Sequence, residues 1–241
     1  MNDSNLELLN NLNNEKSFRK IVERKRTLFC SFSDNFYEKD IFFELLYCLL
    51  TIQNSFVRAK SAMSYLKENF VFEELFIQMG DDLFLKNVKK SLIKFSIRFY
   101  NNKAQYFLNA KKLFWSSGSK SFELLRDKNV NIFDKRLWLK NNVKGFGMKE
   151  ATHFLRNIGI GFELGILDRH VLRSLNSFNV LKTIPASLSE KKYLEIEKEL
   201  IAFAKKNDID MFDLDFLLFI FGKTKNLIMD ENTAIILNEL K

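Results

Sequence analysis

The chain has 241 residues, with 38 Lys and Arg against 30 Asp and Glu, a formal charge of +8 and a pI near 9.3. An apolar share of 46% that includes 26 Phe excludes a globally disordered chain, and one Pro with eight Gly argues against a β-sandwich or barrel built on many tight turns. The length fits one large domain or two small lobes, and we expect an almost entirely helical protein.

The sequence also limits where the protein can work. Cys30 and Cys48 are too few for a disulfide-dense secreted fold, and the polar N-terminal stretch lacks the apolar core of a secretory signal. The longest apolar run, residues 216–221, is far short of the roughly 20 residues that span a bilayer. We therefore expect a cytoplasmic protein with no membrane partner. The positive charge suits a polyanion such as nucleic acid, although a Lys-rich composition alone also produces it.

Apolar spacing predicts about ten helices and no strand. In chain order the predicted helical segments are residues 6–32, 41–52, 55–69, 84–95, 103–115, 133–142, 148–158, 168–177, 189–206, 213–221 and 230–240. Asp168 and Ser189 are well placed as N-caps of their helices. The sequence shows no internal repeat, no low-complexity linker and no clean domain boundary.

The most punctuated region is the loop Val143-Lys-Gly-Phe-Gly147 between two predicted helices, which together form a hairpin over residues 133–158. Gly145 and Gly147 can adopt positive φ and let a phosphate approach the backbone. The first N–H groups of the second helix and its positive dipole end face that phosphate. Such a hairpin can hold DNA without reading its sequence. A tight turn between two packed helices is the alternative.

Two side chains near this loop indicate chemistry. Lys149 lies in the first turn of the second helix, where the helix dipole and partial burial favour the unprotonated amine that a nucleophile requires. Asp168, 19 residues further on, heads the next helix and could return to face it. The pair suggests an amine attacking a sugar carbon with help from a carboxylate. A solvated lysine and a plain helix cap are the alternatives.

Residues 143–157 (VKGFGMKEATHFLRN) and 166–173 (ILDRHVLR) resemble the helix-hairpin-helix and the following aspartate signature of the 8-oxoguanine DNA glycosylase/AP lyases of the second, shorter class. Residues 98–104, 184–197 and 45–55 are similar to further segments of that class. The resemblance implies an all-α, two-lobed glycosylase with its active site in the cleft between the lobes. We expect residues 1–241 to form this single unit, with an atypical C-terminal extension at residues 226–241.

The resemblance implies that the protein excises 8-oxoguanine from double-stranded DNA and then cuts the strand by β-elimination, in base-excision repair. Lys149 matches the lysine that attacks C1′, expels the base and forms a Schiff base. Asp168 matches the carboxylate that helps to activate the amine and stabilises the cationic sugar. No cofactor is required, and the absence of four clustered cysteines excludes an iron–sulfur cluster. A monomer that associates with the nucleoid through DNA is expected.

The resemblance also assigns contacts to the flipped-out nucleotide and its surroundings. His170 matches a histidine that contacts phosphate, with a satisfied helix-face histidine as the alternative. Gln53 and Asn54 would fill the space that the flipped base leaves, unless they only end a helix. Phe99 and Phe219 would stack on the two faces of the base, and core packing is the alternative for both.

Two further assignments concern the hairpin and the C-terminus. By the same resemblance, main-chain carbonyls of Asn141, Val143 and Phe146 would hold a structural monovalent or calcium ion. Members of the class typically stop at a lysine that helps to distinguish 8-oxoguanine from guanine, but this chain continues beyond that point. Either Lys241 returns to the base pocket or Lys225 replaces the terminal lysine in part.

Two other functions stay open at the level of sequence. A sibling glycosylase/lyase could use the same lysine to remove another oxidised base, such as an oxidised pyrimidine. A non-catalytic module could use the hairpin only to contact phosphate, and would show salt-dependent binding without strand cleavage.

Overall fold

The computed structural model describes residues 3–224 and 228–239. In chain order these ranges contain α1 (Asp3–Asn14), α2 (Lys16–Asn35), α3 (Glu38–Thr51), α4 (Phe56–Asn69), a π-helical turn (Glu73–Gln78), α5 (Asp81–Lys94), α6 (Tyr100–Trp115), α7 (Ser121–Arg126), α8 (Ile132–Asn142), α9 (Met148–Asn157), α10 (Arg169–Ser177), α11 (Glu190–Lys206), α12 (Met211–Thr224) and α13 (Glu231–Glu239). No strand occurs in the described ranges, and the all-helical prediction is confirmed.

Two compact units make up the described chain. One unit joins the two chain ends, residues 3–30 and 159–239 apart from 225–227, and the other is continuous from residue 31 to residue 158. We call them the terminal unit and the central unit. The predicted two lobes are present, but the pairing of the chain ends in one lobe was not foreseen.

Most helix ends lie within a few residues of their predicted positions, with one clear difference near the N-terminus. The stretch predicted as one helix over residues 6–32 is divided at Glu15 into α1 and α2. The Glu15 carboxylate accepts the N–H groups of Ser17 and Phe18, each at 2.9 Å, and so caps α2. Hydrogen bonds from Ser17 and Phe18 lower the pKa of Glu15. The short helix α7 and the π-helical turn are below the length that apolar periodicity can identify.

The core of the central unit is built around α3. Every residue of α3 from Ile41 to Thr51 is buried, as its nearly continuous apolar sequence predicts. The Phe42 ring meets four other aromatic rings at centroid separations of 5.3 to 6.2 Å, those of Phe72, Phe76, Phe114 and Trp115. Much of the unusual Phe content of the chain is therefore core packing in this unit.

In the terminal unit the N-terminal helices pack against α12. Arg19 and Arg26 of α2 form ion pairs with the buried carboxylate of Asp213. The Arg26 guanidinium also lies 4.6 Å from the centre of the Phe212 ring. The segment before the recognised signature is therefore part of the folded unit, since its charges neutralise a buried acid at the start of α12.

Candidate active site

The loop between α8 and α9 presents its backbone to solvent at its centre and is anchored at both sides. Val143 and Phe146 are buried, and the Phe146 N–H donates to the Val143 carbonyl at 3.0 Å. Lys144 and Gly145 between them are exposed. The loop is thus a turn that is anchored on both sides and exposed at its centre.

The two glycines of this loop have different roles. Gly145 has φ +96°, and a Cβ at this position would lie 2.6 Å from the Tyr106 ring and 3.1 Å from Leu49. Gly147 has φ −106°, so it does not use the positive φ that a glycine allows. Gly147 is the N-cap of α9, and its N–H is accepted by Glu150 at 3.2 Å. Only Gly145 therefore requires the left-handed conformation.

We expect Gly145→Ala to weaken binding to duplex DNA by about tenfold or more and to lower the free energy of unfolding by about 1–3 kcal/mol. The substitution combines an unfavourable φ with a collision against the Tyr106 ring. Gly118→Ala is a matched control, because Gly118 also has positive φ, +78°, but nothing lies within 4 Å of its Cβ position. Thermal unfolding and DNA titration would measure both effects. Equal losses in the two variants would show that the contact with Tyr106 is unimportant.

Lys149 lies in the first turn of α9, as predicted, with 29% of its side chain exposed. Its amine is 3.2 Å from one carboxylate oxygen of Glu150, and the other oxygen of that carboxylate accepts the Gly147 N–H. Glu150 thus links the helix N-terminus to the predicted nucleophile. Glu150 was not predicted from the sequence, although an acidic residue three positions after an N-cap is a known helix-start signal.

The opposite side of α9 is held by buried polar side chains. The Asn157 amide donates to Glu44 of α3 at 2.7 Å and lies 3.4 Å from the His153 ring. Two N–H groups of the Arg156 guanidinium donate to the side-chain Oδ1 of Asn157, at 3.2 and 3.3 Å. All four side chains are buried. This network fixes α9 against the central helix of the unit, and His153 belongs to it.

A second network closes the C-terminal end of α3. The buried Lys103 amine donates to the carbonyls of Leu50 and Ile52, at 2.8 and 2.6 Å. The Asn54 amide donates to the same two carbonyls, each at 3.0 Å, and its oxygen accepts the Arg98 N–H at 2.9 Å. Asn54 and Lys103 together satisfy the last carbonyls of the helix, which otherwise lack partners.

Next to the residues of this network in the chain lie Gln53, predicted to fill the space left by the flipped base, and Phe99, predicted to stack on that base. Gln53 is exposed with φ +55°, and Phe99 is 59% exposed with φ +58°. Non-glycine residues rarely adopt such angles, and those that do are held by their surroundings. Of the two predicted gap-filling residues, Gln53 presents an exposed side chain, whereas the Asn54 amide is hydrogen-bonded to the backbone at both ends.

We expect Lys103 to contribute about 2 kcal/mol to a rise in the free energy of unfolding between pH 8 and pH 10. Burial lowers the pKa of Lys103 from its ordinary 10.5 to about 8, so in this range the unfolded chain binds more protons than the folded chain. Lys103→Met should lose this rise, and Lys128→Met, at an exposed position, should keep it. Denaturant titrations at several pH values would show the difference. The same slope in the Lys103→Met variant would contradict the assignment.

In the terminal unit Asp168 caps α10, as predicted. Its Oδ1 accepts the N–H groups of His170 and Val171, both at 2.8 Å, and its Oδ2 makes no hydrogen bond within the described ranges. The Tyr193 hydroxyl holds the preceding loop, donating to the Gly165 carbonyl at 2.6 Å and accepting the Leu167 N–H at 3.2 Å. One carboxylate oxygen therefore sets the start of the helix, and the other is available for chemistry.

His170 and Phe219 meet where α10 crosses α12. Their ring centroids are 5.0 Å apart, and Phe219 is only 8% exposed. The His170 Nδ1 is buried and has no hydrogen-bond partner in the described part of the chain. The helices approach closely because Gly222 has no side chain, and a Cβ at this position would lie 2.0 Å from the His170 carbonyl oxygen. Gly222 was not selected from the sequence, since a glycine at a helix crossing has no local signature.

The remaining site predictions concern the C-terminus and a cation. Lys225 and Lys241 lie outside the described residues, and the predicted extension contains α13. No group of three or more His, Cys, Asp and Glu in the described ranges could hold a metal ion. The carbonyl-bound cation at Asn141, Val143 and Phe146 stays a prediction. No described helix has both the length and the apolar character that a membrane crossing needs.

The fold and the site together define a helix-hairpin-helix DNA glycosylase with a lysine in the first turn of the second hairpin helix. Residues 22–209 match the family described as 8-oxoguanine DNA glycosylase, and the chain belongs to this family. The resemblance inferred from the hairpin and from the segment that begins at Ile166 is thereby confirmed. The match ends before α12, so Phe219 and Lys225 lie beyond it.

Curated relatives and solved structures agree with this assignment. The chain is 34% identical over 188 residues to an 8-oxoguanine DNA glycosylase/AP lyase of Fusobacterium nucleatum, covering 77% of this chain and 81% of that protein. It is 32% identical over 218 residues to the enzyme of the same name from Sulfolobus acidocaldarius, covering 90% and 96%. The 8-oxoguanine DNA glycosylase of Thermotoga maritima superposes with a TM-score of 0.73 at 28% identity, covering 89% and 95%.

A further solved structure contains nucleic acid. The Methanocaldococcus jannaschii 8-oxoguanine glycosylase/lyase, in complex with a 15mer DNA containing 8-oxoguanine, superposes with a TM-score of 0.76 at 26% identity. The match covers 92% of this chain and 98% of that one.

Proposed function

We propose that this protein excises 8-oxoguanine from double-stranded DNA and cleaves the strand at the resulting abasic site, as an enzyme of base-excision repair. One observation carries the proposal: Lys149 lies in the first turn of α9, directly after the hairpin loop, in a chain of the 8-oxoguanine DNA glycosylase family. The relatives named above carry the same pair of activities in their names.

The chemistry follows from an amine held beside a sugar. The unprotonated amine of Lys149 attacks C1′, the bond from C1′ to the base breaks, and the base leaves with the bonding electrons and takes up a proton. Loss of a proton from nitrogen and opening of the sugar ring give an imine. Removal of a C2′ proton then expels the 3′ phosphate by β-elimination, and water releases the lysine. Attack requires the unprotonated amine, so the ion pair between Lys149 and the Glu150 carboxylate, at 3.2 Å, would have to open first.

Asp168 supports the step in which positive charge develops on the sugar. Its Oδ1 is committed to the N-terminus of α10, which holds the carboxylate in one orientation. A fixed carboxylate stabilises a cationic transition state without having to reorient during the reaction. This is the role that the family resemblance implies for Asp168.

The remaining predicted residues would bind and hold the substrate. The hairpin N–H groups at Gly145 and Gly147, together with His170, would contact phosphates. Gln53 would enter the space left by the flipped base, and Phe99 would stack on one face of that base.

Residues in the C-terminal part of the chain would stack on the second face of the flipped base and make the contact that is specific for the lesion. We retain Phe219 for the second face and Lys241 or Lys225 for the contact that distinguishes 8-oxoguanine. The carbonyls of Asn141, Val143 and Phe146 would hold a structural cation, since carbonyl oxygens suit hard ions such as calcium. No step of the reaction requires that ion. Binding to DNA would place the protein at the nucleoid.

Borohydride trapping on a panel of duplexes tests the function. Borohydride reduces the imine, so a covalent adduct should form with a duplex that contains 8-oxoguanine and not with undamaged DNA. Preference for a duplex with an oxidised pyrimidine would instead support the sibling activity. Salt-dependent binding with no adduct and no cleavage on any duplex would support the non-catalytic module and would refute the proposal.

A further inference from the structure

A cavity of about 530 Å³ lies entirely within the terminal unit, between the exposed side of α10 and the end of α12. Arg173 and Ser177 line it from α10, and Phe221 and Lys223 line it from α12. Ile184 forms part of the wall from the connection between α10 and α11. None of these side chains has a role in the function proposed above.

The charge in this cavity is unbalanced. Arg173 and Lys223 are both exposed, and neither forms an ion pair in the described part of the chain. No Asp or Glu is among the lining residues. Two cations that converge on one cavity without a carboxylate favour an anionic occupant, and the Ser177 hydroxyl can donate a further hydrogen bond.

The cavity adjoins the predicted phosphate contact at His170. Gly222 lines the cavity, and its main chain packs directly against the His170 carbonyl. Arg173 follows His170 by three residues, so both lie on the same side of α10, about 4.5 Å apart along the helix axis. An arginine side chain at this position is long enough to reach a phosphate that neighbours the one held by His170.

We propose that Arg173 and Lys223 form a second phosphate subsite, which binds a backbone phosphate of the DNA one or two nucleotides from the phosphate held by His170. This proposal rests on the proposed function, since it takes DNA as the partner. The subsite would add contacts to the damaged strand beyond those made by the hairpin. It would also hold the strand against α10 while the nucleotide is flipped. The apolar walls at Ile184 and Phe221 would face the sugar.

The test compares charge variants on a duplex that stays intact. Lys149→Gln serves as the background, so that binding of an 8-oxoguanine duplex is measured without cleavage. In that background the pair Arg173→Gln with Lys223→Gln should weaken binding by about tenfold and reduce the slope of log affinity against log salt by about one to two. The pair Lys191→Gln with Lys198→Gln removes the same charge from exposed positions of α11 and should change both quantities less.

A scan with single methylphosphonates, which are uncharged, identifies the phosphate. At one position within about two nucleotides of the His170 contact, the neutral linkage should weaken binding of the Lys149→Gln parent. The same linkage should have no further effect on the variant that also lacks Arg173 and Lys223. Additive losses at every position would overturn the proposal. The proposal would also be overturned if the Arg173 and Lys223 variant lost affinity for inorganic phosphate but bound every duplex as tightly as the Lys149→Gln parent.

Failure of this inference can be told apart from failure of the proposed function. The variants at Arg173 and Lys223 with Lys149 intact should still form the borohydride adduct at saturating protein, with unchanged thermal unfolding. Adduct formation together with an unchanged salt slope refutes only the subsite. Absence of an adduct in the unsubstituted protein refutes the proposed function, and the salt slopes still decide whether Arg173 and Lys223 contact DNA.

Discussion

Lys149→Gln is expected to abolish the borohydride-trapped adduct on an 8-oxoguanine duplex and to slow strand cleavage by at least about 10³-fold. Glutamine keeps much of the length and polarity of lysine, and it can still contact Glu150, but it cannot form an imine. The buried network of Glu44 and Asn157 holds α9 from its other side, so the hairpin should stay folded. Single-turnover cleavage and trapping would measure the loss.

Two comparisons make this prediction decisive. Lys120→Gln removes one positive charge at an exposed position of the same unit and should leave trapping and cleavage unchanged. DNA affinity of the Lys149→Gln variant should stay within a fewfold of the parent protein, because the loop N–H groups are unaltered. An adduct that persists in Lys149→Gln would show that another amine is the nucleophile.

The second large effect is expected for Asp168→Asn, which should reduce the single-turnover rate by about 10²- to 10⁴-fold with little loss of stability. Asparagine retains an oxygen that can accept the N–H groups of His170 and Val171, so the cap of α10 survives. The substitution removes the negative charge that is proposed to stabilise the reacting sugar. Single-turnover cleavage and thermal unfolding measured on the same preparation would separate the two contributions.

Asp168→Ala and Ser189→Ala serve as comparisons for the capping role. Both should lower the free energy of unfolding by about 1 kcal/mol, because each removes an N-cap acceptor. Ser189 accepts the Lys192 N–H at the start of α11, and its loss should leave the rate of cleavage unchanged. A normal rate in Asp168→Asn would show that the side chain serves only as a cap.

The helices and the proposed catalytic pair, Lys149 and Asp168, were accessible from sequence for local reasons. Apolar periodicity, the caps at Asp168 and Ser189 and the loop at Gly145 each depend on residues within one or two turns of each other. The same locality explains why the sequence did not separate Gly147 from Gly145. Two glycines in one loop carry the same sequence signal, but only the contacts of the folded hairpin decide which of them takes positive φ.

Residues that act across the fold were not accessible in this way. Lys103 and Gly222 were passed over, although each contacts a predicted site element. Lys103 satisfies carbonyls about 50 positions earlier in the chain, and Gly222 permits contact with His170, 52 residues before it. Nothing in the neighbouring sequence marks such a partner, because the requirement arises only when two helices meet.

By itself the sequence determined that this protein is helical, basic and built around a hairpin with a lysine at the head of its second helix. Only the tertiary structure decided how the positive charge is used. Lys103, Lys111 and Lys135 are buried, and each donates to a main-chain carbonyl. Arg173 and Lys223 instead face an open cavity. The amino-acid composition does not distinguish these positive charges. Burial and hydrogen-bond partners show which lysines bind carbonyls at helix ends and which cations are exposed and can bind phosphate.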